Sequence, residues 1–290
     1  MVSIIINPVA GGATPGHGRR RATLATAILA ARGISGDVFV TERRGHARQL
    51  AEAACRRGHR LVVAWGGDGT VNEVASALLG GVARLGIVPS GSGNGLAREL
   101  RVPRRPADAI ASALDAPVRT IDAGEIGGRL FVSIAGIGFD AHVAAAFDRG
   151  GHLRRGFSTY VRITARELWR YRCGVYSVDR ADRREALLIT FANTSQFGNG
   201  ARIAPRAKLD DGLLDMVVVA ERSRAATIRG LPRLFTGGAE RVPGVAIRQV
   251  ERARVESEAP MTYHVDGEPV QGGRCLEARV LPGVLRVAAL

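Results

Sequence analysis

Residues 61–74 read L-V-V-A-W-G-G-D-G-T-V-N-E-V, and this run limits the possible folds more than any other. A short apolar strand enters a turn of glycines around Asp68. An amphipathic helix follows, with Val71, Val74, Ala75, Leu78 and Leu79 marking one face. Glycines let the backbone turn with positive φ and bring its N–H groups close to an anion. The helix N-terminus adds its positive dipole end. Thr70 and Glu73 stand at capping-box spacing, so Thr70 is the expected N-cap. The Asp68 carboxylate would repel phosphate on its own, but it suits a magnesium ion that bridges the two. The string therefore reads as a nucleoside triphosphate site. A simple strand-turn-helix is the plain alternative, because a lone glycine-rich turn is weak evidence.

The surrounding chain fits that turn into a larger pattern. Apolar runs predict strands over 2–6, 37–40, 61–65 and 85–88. Helical spacing predicts helices over 19–32 and 46–57 between them. This alternation predicts a parallel sheet with helices on both faces. Ligands of such sheets lie at the carboxyl ends of the strands. Asn7, Thr41, Gly66 and Pro89 all follow strands, so their loops can converge. Beyond about residue 119 short β-rich runs take over, at 118–121, 130–134, 175–178, 186–192, 213–220, 245–250, 253–256, 261–265 and 276–280. Regularly spaced short strands predict a sandwich-like second domain. One helical run, 157–171, interrupts them with Tyr160, Ile163, Leu168 and Tyr171 among arginines.

Composition narrows the function. At 290 residues the expectation is roughly two domains. Cys55, Cys173 and Cys275 are scattered and form no C-x-x-C pair, so neither a disulfide framework nor a zinc site is expected. The chain enters a strand directly after Met1, and no apolar run approaches the roughly 20 residues of a membrane span. A cytoplasmic protein is the expectation. The net charge is +14, and Lys208 is the only lysine. No glycine precedes a lysine, so a Walker A P-loop is excluded. The arginine excess has two readings, a coding bias or attraction to a polyanionic partner such as an acidic membrane surface. No basic-aromatic nucleic-acid motif is visible, so no nucleic-acid partner is expected.

Several strings together resemble the bacterial diacylglycerol kinase-like lipid kinases, relatives of sphingosine and ceramide kinases. Asn7-Pro8-Val9-Ala10-Gly11-Gly12 resembles the family's opening nucleotide loop, and Thr41 with Gly45-His46-Ala47 the second. Gly66 to Val74 is the signature. Pro89 to Arg98, P-S-G-S-G-N-G-L-A-R, resembles the third loop. Asp122, Gly136-Ile137-Gly138-Phe139-Asp140, Asn193, Asp211-Gly212-Leu213-Leu214-Asp215 and Asp266-Gly267-Glu268 follow in family order. The resemblance implies a mixed architecture. An N-terminal α/β domain of the NAD kinase/diacylglycerol kinase type spans 1–122 plus about 282–290, with a C-terminal all-β sandwich over 123–281. It also implies ATP, magnesium, a lipid hydroxyl as acceptor, and a last segment packed back on the first domain. The chain departs from the family at Gly95, where many members carry an aspartate linked to the metal and water network. At Ser92, where threonine is common, serine keeps the hydroxyl.

The same resemblance distributes roles. Asn7, Gly11, Gly12, Thr41, Gly66, Gly67, Asp68, Gly69, Thr70, Val71, Asn72 and Ser92 are the expected ATP-binding residues. Turn or capping chemistry is the plain alternative for Asn7, Thr41 and Ser92. Glu268 corresponds to the general base that takes the lipid hydroxyl proton, with Asp266 orienting it or binding metal. His264, Asp266 and Glu268 alternate, so an extended segment would put them on one face; Asp-Gly is equally a hairpin signal. Asp68 is the expected magnesium ligand at the phosphates. A structural magnesium is implied at Asp211 with the carbonyls of Lys208 and Leu213, against a plain type I turn.

The leading expectation is thus an ATP-dependent lipid kinase acting on diacylglycerol or a related lipid. The alternatives are a NAD kinase, which shares G-G-D-G-T, and a degenerate lipid-binding protein, suggested by Gly95. Docking to the inner face of an anionic membrane is expected through Arg149, Arg154, Arg155, Arg162, Arg166, Arg170 and Arg172. A homodimer is left open.

Overall fold

The computed structural model describes residues 1–12, 16–149, 157–196, 201–223, 225–227, 230, 233 and 237–289. Part of the expected docking cluster, Arg154 and Arg155 and the Arg149 side chain, lies outside the described residues. The chain divides into two compact units, Met1–Ile121 with Gly283–Leu290, and Asp122–Pro282.

The first unit alternates strand and helix. Its elements are β1 (Val2–Ile6), α1 (His17–Ala31), β2 (Gly36–Val40), α2 (His46–Arg56), β3 (Leu61–Gly66), α3 (Asp68–Leu78), β4 (Arg84–Pro89), α4 (Gly95–Glu99) and α5 (Pro106–Asp115). The strands pair in the order β2-β1-β3-β4, all parallel. Strands covered on both faces are continuous apolar runs, and every residue of β1 and β3 is buried. Ile4, Ile6, Val63 and Trp65 share a core with Ala25 and Leu29 of α1 and with Ala109, Ile110 and Ala113 of α5. By the strand period of two, Ile5, Val62 and Ala64 point to the other face, where α2 and α3 pack together. The apolar runs of the sequence do not mark α5; its signals are Pro106 in the first turn and small apolar residues at helical spacing. The last segment joins this sheet. Val287 pairs in parallel with Leu85, and Gly80 donates its N–H to the Val284 carbonyl at 2.8 Å.

The second unit is antiparallel. After β5 (Val118–Ile126) come β6 (Arg129–Phe131), β7 (Ile134–Gly138), α6 (Phe139–Arg149), α7 (Phe157–Arg170), β8 (Gly174–Val178), β9 (Arg184–Ala192) and β10 (Leu214–Ala220). Then follow β11 (Val245–Val250), β12 (Arg252–Ser257), β13 (Thr262–Val265), β14 (Glu268–Gln271) and β15 (Cys275–Ala288). Pairing runs β14-β13-β7-β9-β8-β12-β15, with β10 joined to β9 and β11. Phe131, Ile137, Phe191, Met216, Val255 and Tyr263 fill one core between the strands. A second core, with Phe139, Val143 and Leu168, seats α6 and α7. The single strand expected over 130–134 is instead two, broken at Val132 and Ser133. The cause is distant in sequence: the Asp266 carboxylate captures the N–H groups of Val132, Ser133 and Ile134.

Candidate active site

In the first unit, the loops after β1, β3 and β4 meet at the carboxyl edge of the sheet. Their glycines are there for closeness. A Cβ on Gly11 (φ 81°) would collide with the Ser90 carbonyl oxygen, and one on Gly91 would lie 2.7 Å from the Gly67 Cα. The Asn7 side chain donates to the Thr70 hydroxyl at 2.9 Å, and its Oδ1 accepts the Val9 N–H at 3.1 Å. Gly67 caps α3 with an extended backbone, so Asp68, Gly69 and Thr70 form the first helical turn. The N–H groups of such a turn have no partner within the helix. Val71 already donates to the Gly67 carbonyl. Asn72 lies on the same helix, half-buried, and Ser92 is exposed at the crest of the third loop.

Asp68 holds the signature turn to the third loop. Its oxygens accept the N–H groups of Asn94 at 2.9 Å and Gly95 at 2.7 Å, the latter at the start of α4. Burial pushes this carboxyl up, while those N–H donors, its own N–H and Arg98 oppose the shift. Three donors on two oxygens leave one of their four lone-pair sites for a cation. A desolvated carboxylate beside a helix start therefore fits a magnesium ion, whose charge would offset the burial.

The expected capping box is not formed. Thr70 sits inside the first turn of α3, and its hydroxyl accepts from Asn7. Glu73 instead crosses to the start of α2, accepting the N–H groups of Gly45 at 2.8 Å and Ala47 at 3.0 Å. Glu73 thus orders the second loop, where Thr41 is buried and donates its N–H to the Ile6 carbonyl at 2.8 Å. Two arginines missed by sequence reasoning pin the other loops. Arg21 donates to the carbonyls of Asn7 and Ala10 at 2.8 and 3.0 Å, and Arg98 to that of Gly93 at 2.8 Å. In each case the arginine lies in the helix directly after the glycine-rich loop, and that position is the signal.

In the second unit, Asp266 and Gly267 form the two-residue turn between β13 and β14. Both have positive φ, 47° and 85°, and Val265 pairs with Glu268 across it. Of the two readings of this segment, the hairpin signalled by Asp-Gly is the one adopted, and His264, Asp266 and Glu268 do not share one extended face. The Asp266 carboxylate is engaged by three backbone donors at 2.8–3.0 Å. Its place suits holding the hairpin. Glu268 opens β14 and is partly exposed.

Asp211 lies at a turn where Gly212 has φ 72°. Its Oδ1 accepts the Leu213 N–H at 3.2 Å and its Oδ2 the Gln249 amide at 3.2 Å. Buried Asp215 follows, its carboxyl pushed up to about 6 by burial and by the negative charge of Asp211, with Glu240 adding and Arg206 opposing. The crowding of negative charge at Asp211 and Asp215 suits a hard cation such as magnesium, although among the described residues no group of three or more acidic, histidine or cysteine side chains gathers to hold one. On α7, Arg162, Arg166, Trp169 and Arg170 are exposed at spacings of four, three and one, and so share one face; Leu168 is buried on the other. Trp169 is 70% exposed.

Comparison with known proteins adds the following. Residues 1–126 match the diacylglycerol kinase catalytic domain, and residues 133–289 match the YegS C-terminal NAD kinase beta sandwich-like domain. A probable lipid kinase YegS-like of Pseudomonas aeruginosa strain PAO1 is 35% identical over 288 residues, covering 95% of this chain and 91% of that protein. A counterpart of the same description from Chromohalobacter salexigens is 32% identical, covering 87% of this chain and 83% of that protein. The crystal structure of a diacylglycerol kinase from Bacillus anthracis str. Sterne superposes with a TM-score of 0.73 over 100% of this chain and 96% of that one, at 20% identity.

Proposed function

The chain belongs to the YegS-like family of diacylglycerol kinase-related lipid kinases, and on that premise we propose that it transfers the γ-phosphoryl group of ATP to a hydroxyl of a membrane lipid, diacylglycerol or a relative. The lipid oxygen bonds to Pγ, the Pγ–O bond to ADP breaks, and the hydroxyl proton passes to Glu268. The single observation that carries the reading is the meeting of the Asn7–Gly12, Gly66–Thr70 and Ser90–Asn94 loops at the start of α3. Phosphoryl transfer needs positioning and charge neutralisation more than covalent help. Gly11, Gly12, Gly66, Gly67 and Gly69 let backbone N–H groups approach phosphate oxygens. Asn7 and Thr70 fix the first loop against the helix, and Thr41, Val71, Asn72 and Ser92 line the remainder of the nucleotide site. Asp68 locks the third loop in place.

Magnesium, when bound, supplies charge neutralisation at the β- and γ-phosphates. Asp68 would hold it there, and Asp211 with the carbonyls of Lys208 and Leu213 would hold a structural ion. Asp266 holds the turn that presents Glu268. Among the described residues no helix is long and apolar enough to cross a membrane. The proposal therefore has the enzyme dock on the inner, anionic face of the membrane through Arg162, Arg166, Trp169 and Arg170.

The test is transfer of labelled phosphate from ATP to diacylglycerol, monoacylglycerol, sphingosine, ceramide and phosphatidylglycerol in mixed micelles. Labelling of a glycerolipid supports the proposal. Labelling of sphingosine alone would move the acceptor to the sphingoid class.

A further inference from the structure

The motif G-I-G-F-D at 136–140 has no part in the chemistry assigned so far. In the fold it stands beside the hairpin that carries Glu268. Gly136 of β7 pairs with His264 of β13. A Cβ on Gly136 would collide with the Asp140 carboxylate, so the glycine makes room for that group. Asp140 lies in the first turn of α6 and is 5% exposed. Its Oδ1 accepts the Ala141 N–H at 2.8 Å, and its Oδ2 accepts the Thr190 hydroxyl at 2.8 Å. His264, also 5% exposed, brings Nε2 to 3.4 Å from the same Oδ2. Its other nitrogen, Nδ1, accepts the Gly267 N–H at 3.3 Å. Nε2 is buried next to that carboxylate and makes no hydrogen bond of its own among the described residues, so the link to Asp140 is one of proximity and charge.

We propose that His264 and Asp140 are positioning residues for Glu268. The hairpin tip is gripped at its two central residues. Asp266 is tied to residues 132–134 through three backbone N–H groups, and Gly267 is tied to His264. Glu268 is the next residue. Asp140, held by the Thr190 hydroxyl, stands 3.4 Å behind the imidazole, so a chain of contacts runs from the Glu268 backbone through His264 to α6 and β9. A buried polar network of this kind costs desolvation that well-packed apolar side chains would avoid. Its return is a fixed geometry beside the proton acceptor, where a misplacement of about 1 Å costs on the order of 100-fold in rate.

The inference rests on the reading of Glu268 as the base, and the experiment separates the two. The kcat and KM for ATP and lipid are measured for Glu268→Gln, His264→Gln, His264→Asn and the double variant Glu268→Gln with His264→Gln, at a temperature where each is folded by circular dichroism. Glutamine at 264 reaches towards Asp140 but loses the acceptor for Gly267, and kcat should fall about 10–100-fold with KM for ATP nearly unchanged. Asparagine keeps an acceptor near the Nδ1 position and should retain much more of kcat. The double variant should be no slower than Glu268→Gln alone, because His264 acts only through that carboxylate. If His264→Gln does not fold, Thr190→Val removes the donor to Asp140 at nearly constant volume and should lower kcat in the same way. Additive losses, or an unchanged kcat in the folded His264→Gln or Thr190→Val variant, would overturn the positioning role while leaving Glu268 as the base. An unimpaired Glu268→Gln would overturn both.

Discussion

Asp68 Oδ1 accepts the backbone N–H of Gly95 at 2.7 Å. The two residues stand on different loops, and the bond makes the signature turn and the third loop one body. The other Asp68 oxygen takes the Asn94 N–H, and Asn94 closes its own loop through Gly91 with bonds of 2.9 and 2.6 Å. Asn94 holds a left-handed backbone, φ 54°, to make that closure. With glycine at 95, the negative charge at this turn comes from Asp68. One carboxylate then serves both as loop clasp and as proposed metal ligand.

Asp68→Ala should therefore do two things. It should remove the proposed magnesium ligand and lower kinase activity to background. It should also release residues 94 and 95, costing about 1–3 kcal/mol for the lost charge-assisted hydrogen bonds. Activity assays and urea denaturation read the two effects separately. Near-normal turnover in a folded variant would remove Asp68 from the chemistry.

Glu73 predicts a different pattern. Its carboxylate caps α2 rather than its own helix, so Glu73→Ala should cost about 0.5–2 kcal/mol, the usual range for a lost cap. Glu73→Gln, which keeps one acceptor oxygen, should cost less. An unchanged denaturation midpoint for the alanine variant would mean that the α2 cap carries no stability.

The Asp215 carboxyl gives a pH dependence with a definite sign. An unfolded aspartate titrates near 4, and the folded one is pushed up to about 6. Between those values the folded protein binds the extra proton. This group therefore favours folding at low pH and loses that contribution as pH rises from about 4 through about 6. Asp215→Asn should raise Tm at pH 7.5, and the gain should shrink towards pH 4. Magnesium should raise the wild-type Tm at pH 7.5 as well, because a cation at Asp211 relieves the same charge. A lower Tm for the variant at pH 7.5 would contradict the assignment.

Membrane docking can be read from intrinsic fluorescence. The two tryptophans differ sharply, Trp65 being 2% and Trp169 70% exposed. Anionic vesicles should shift the emission to shorter wavelength, and Trp169→Phe should abolish the shift. Replacing Arg162 and Arg170 by glutamine should weaken binding and increase KM for vesicle-borne lipid, with activity on a short-chain soluble analogue nearly unchanged. Each basic group near an anionic leaflet contributes about 1 kcal/mol, screened within a Debye length. Binding that ignores both lipid charge and salt would contradict a docking face built on arginine.

The strands of the first unit could be read directly because strands buried on both faces are unbroken apolar runs, as β1 and β3 are. The site loops could be placed because each follows such a strand. What the sequence concealed were partners far along the chain. Glu73 sits three residues after Thr70 and invites a local cap, yet its acceptors serve Gly45 and Ala47. Asp266 signals its own turn through the following glycine, yet nothing local signals that its carboxylate binds residues more than 130 positions away and breaks the strand there. Local spacing describes what a residue can reach within its own element. A carboxylate near several unpaired backbone N–H groups takes the set that folding brings to it.

The most direct test follows the γ-phosphate of labelled ATP in one reaction that contains the wild-type protein, magnesium, diacylglycerol vesicles with anionic lipid, and NAD. After extraction the label can sit in the lipid phase, in NADP, or in unconverted ATP and free phosphate. A lipid kinase places it in the organic phase, and Glu268→Gln lowers that signal about 10²–10⁴-fold. Label in NADP, or no transfer at all beyond background, would contradict the account.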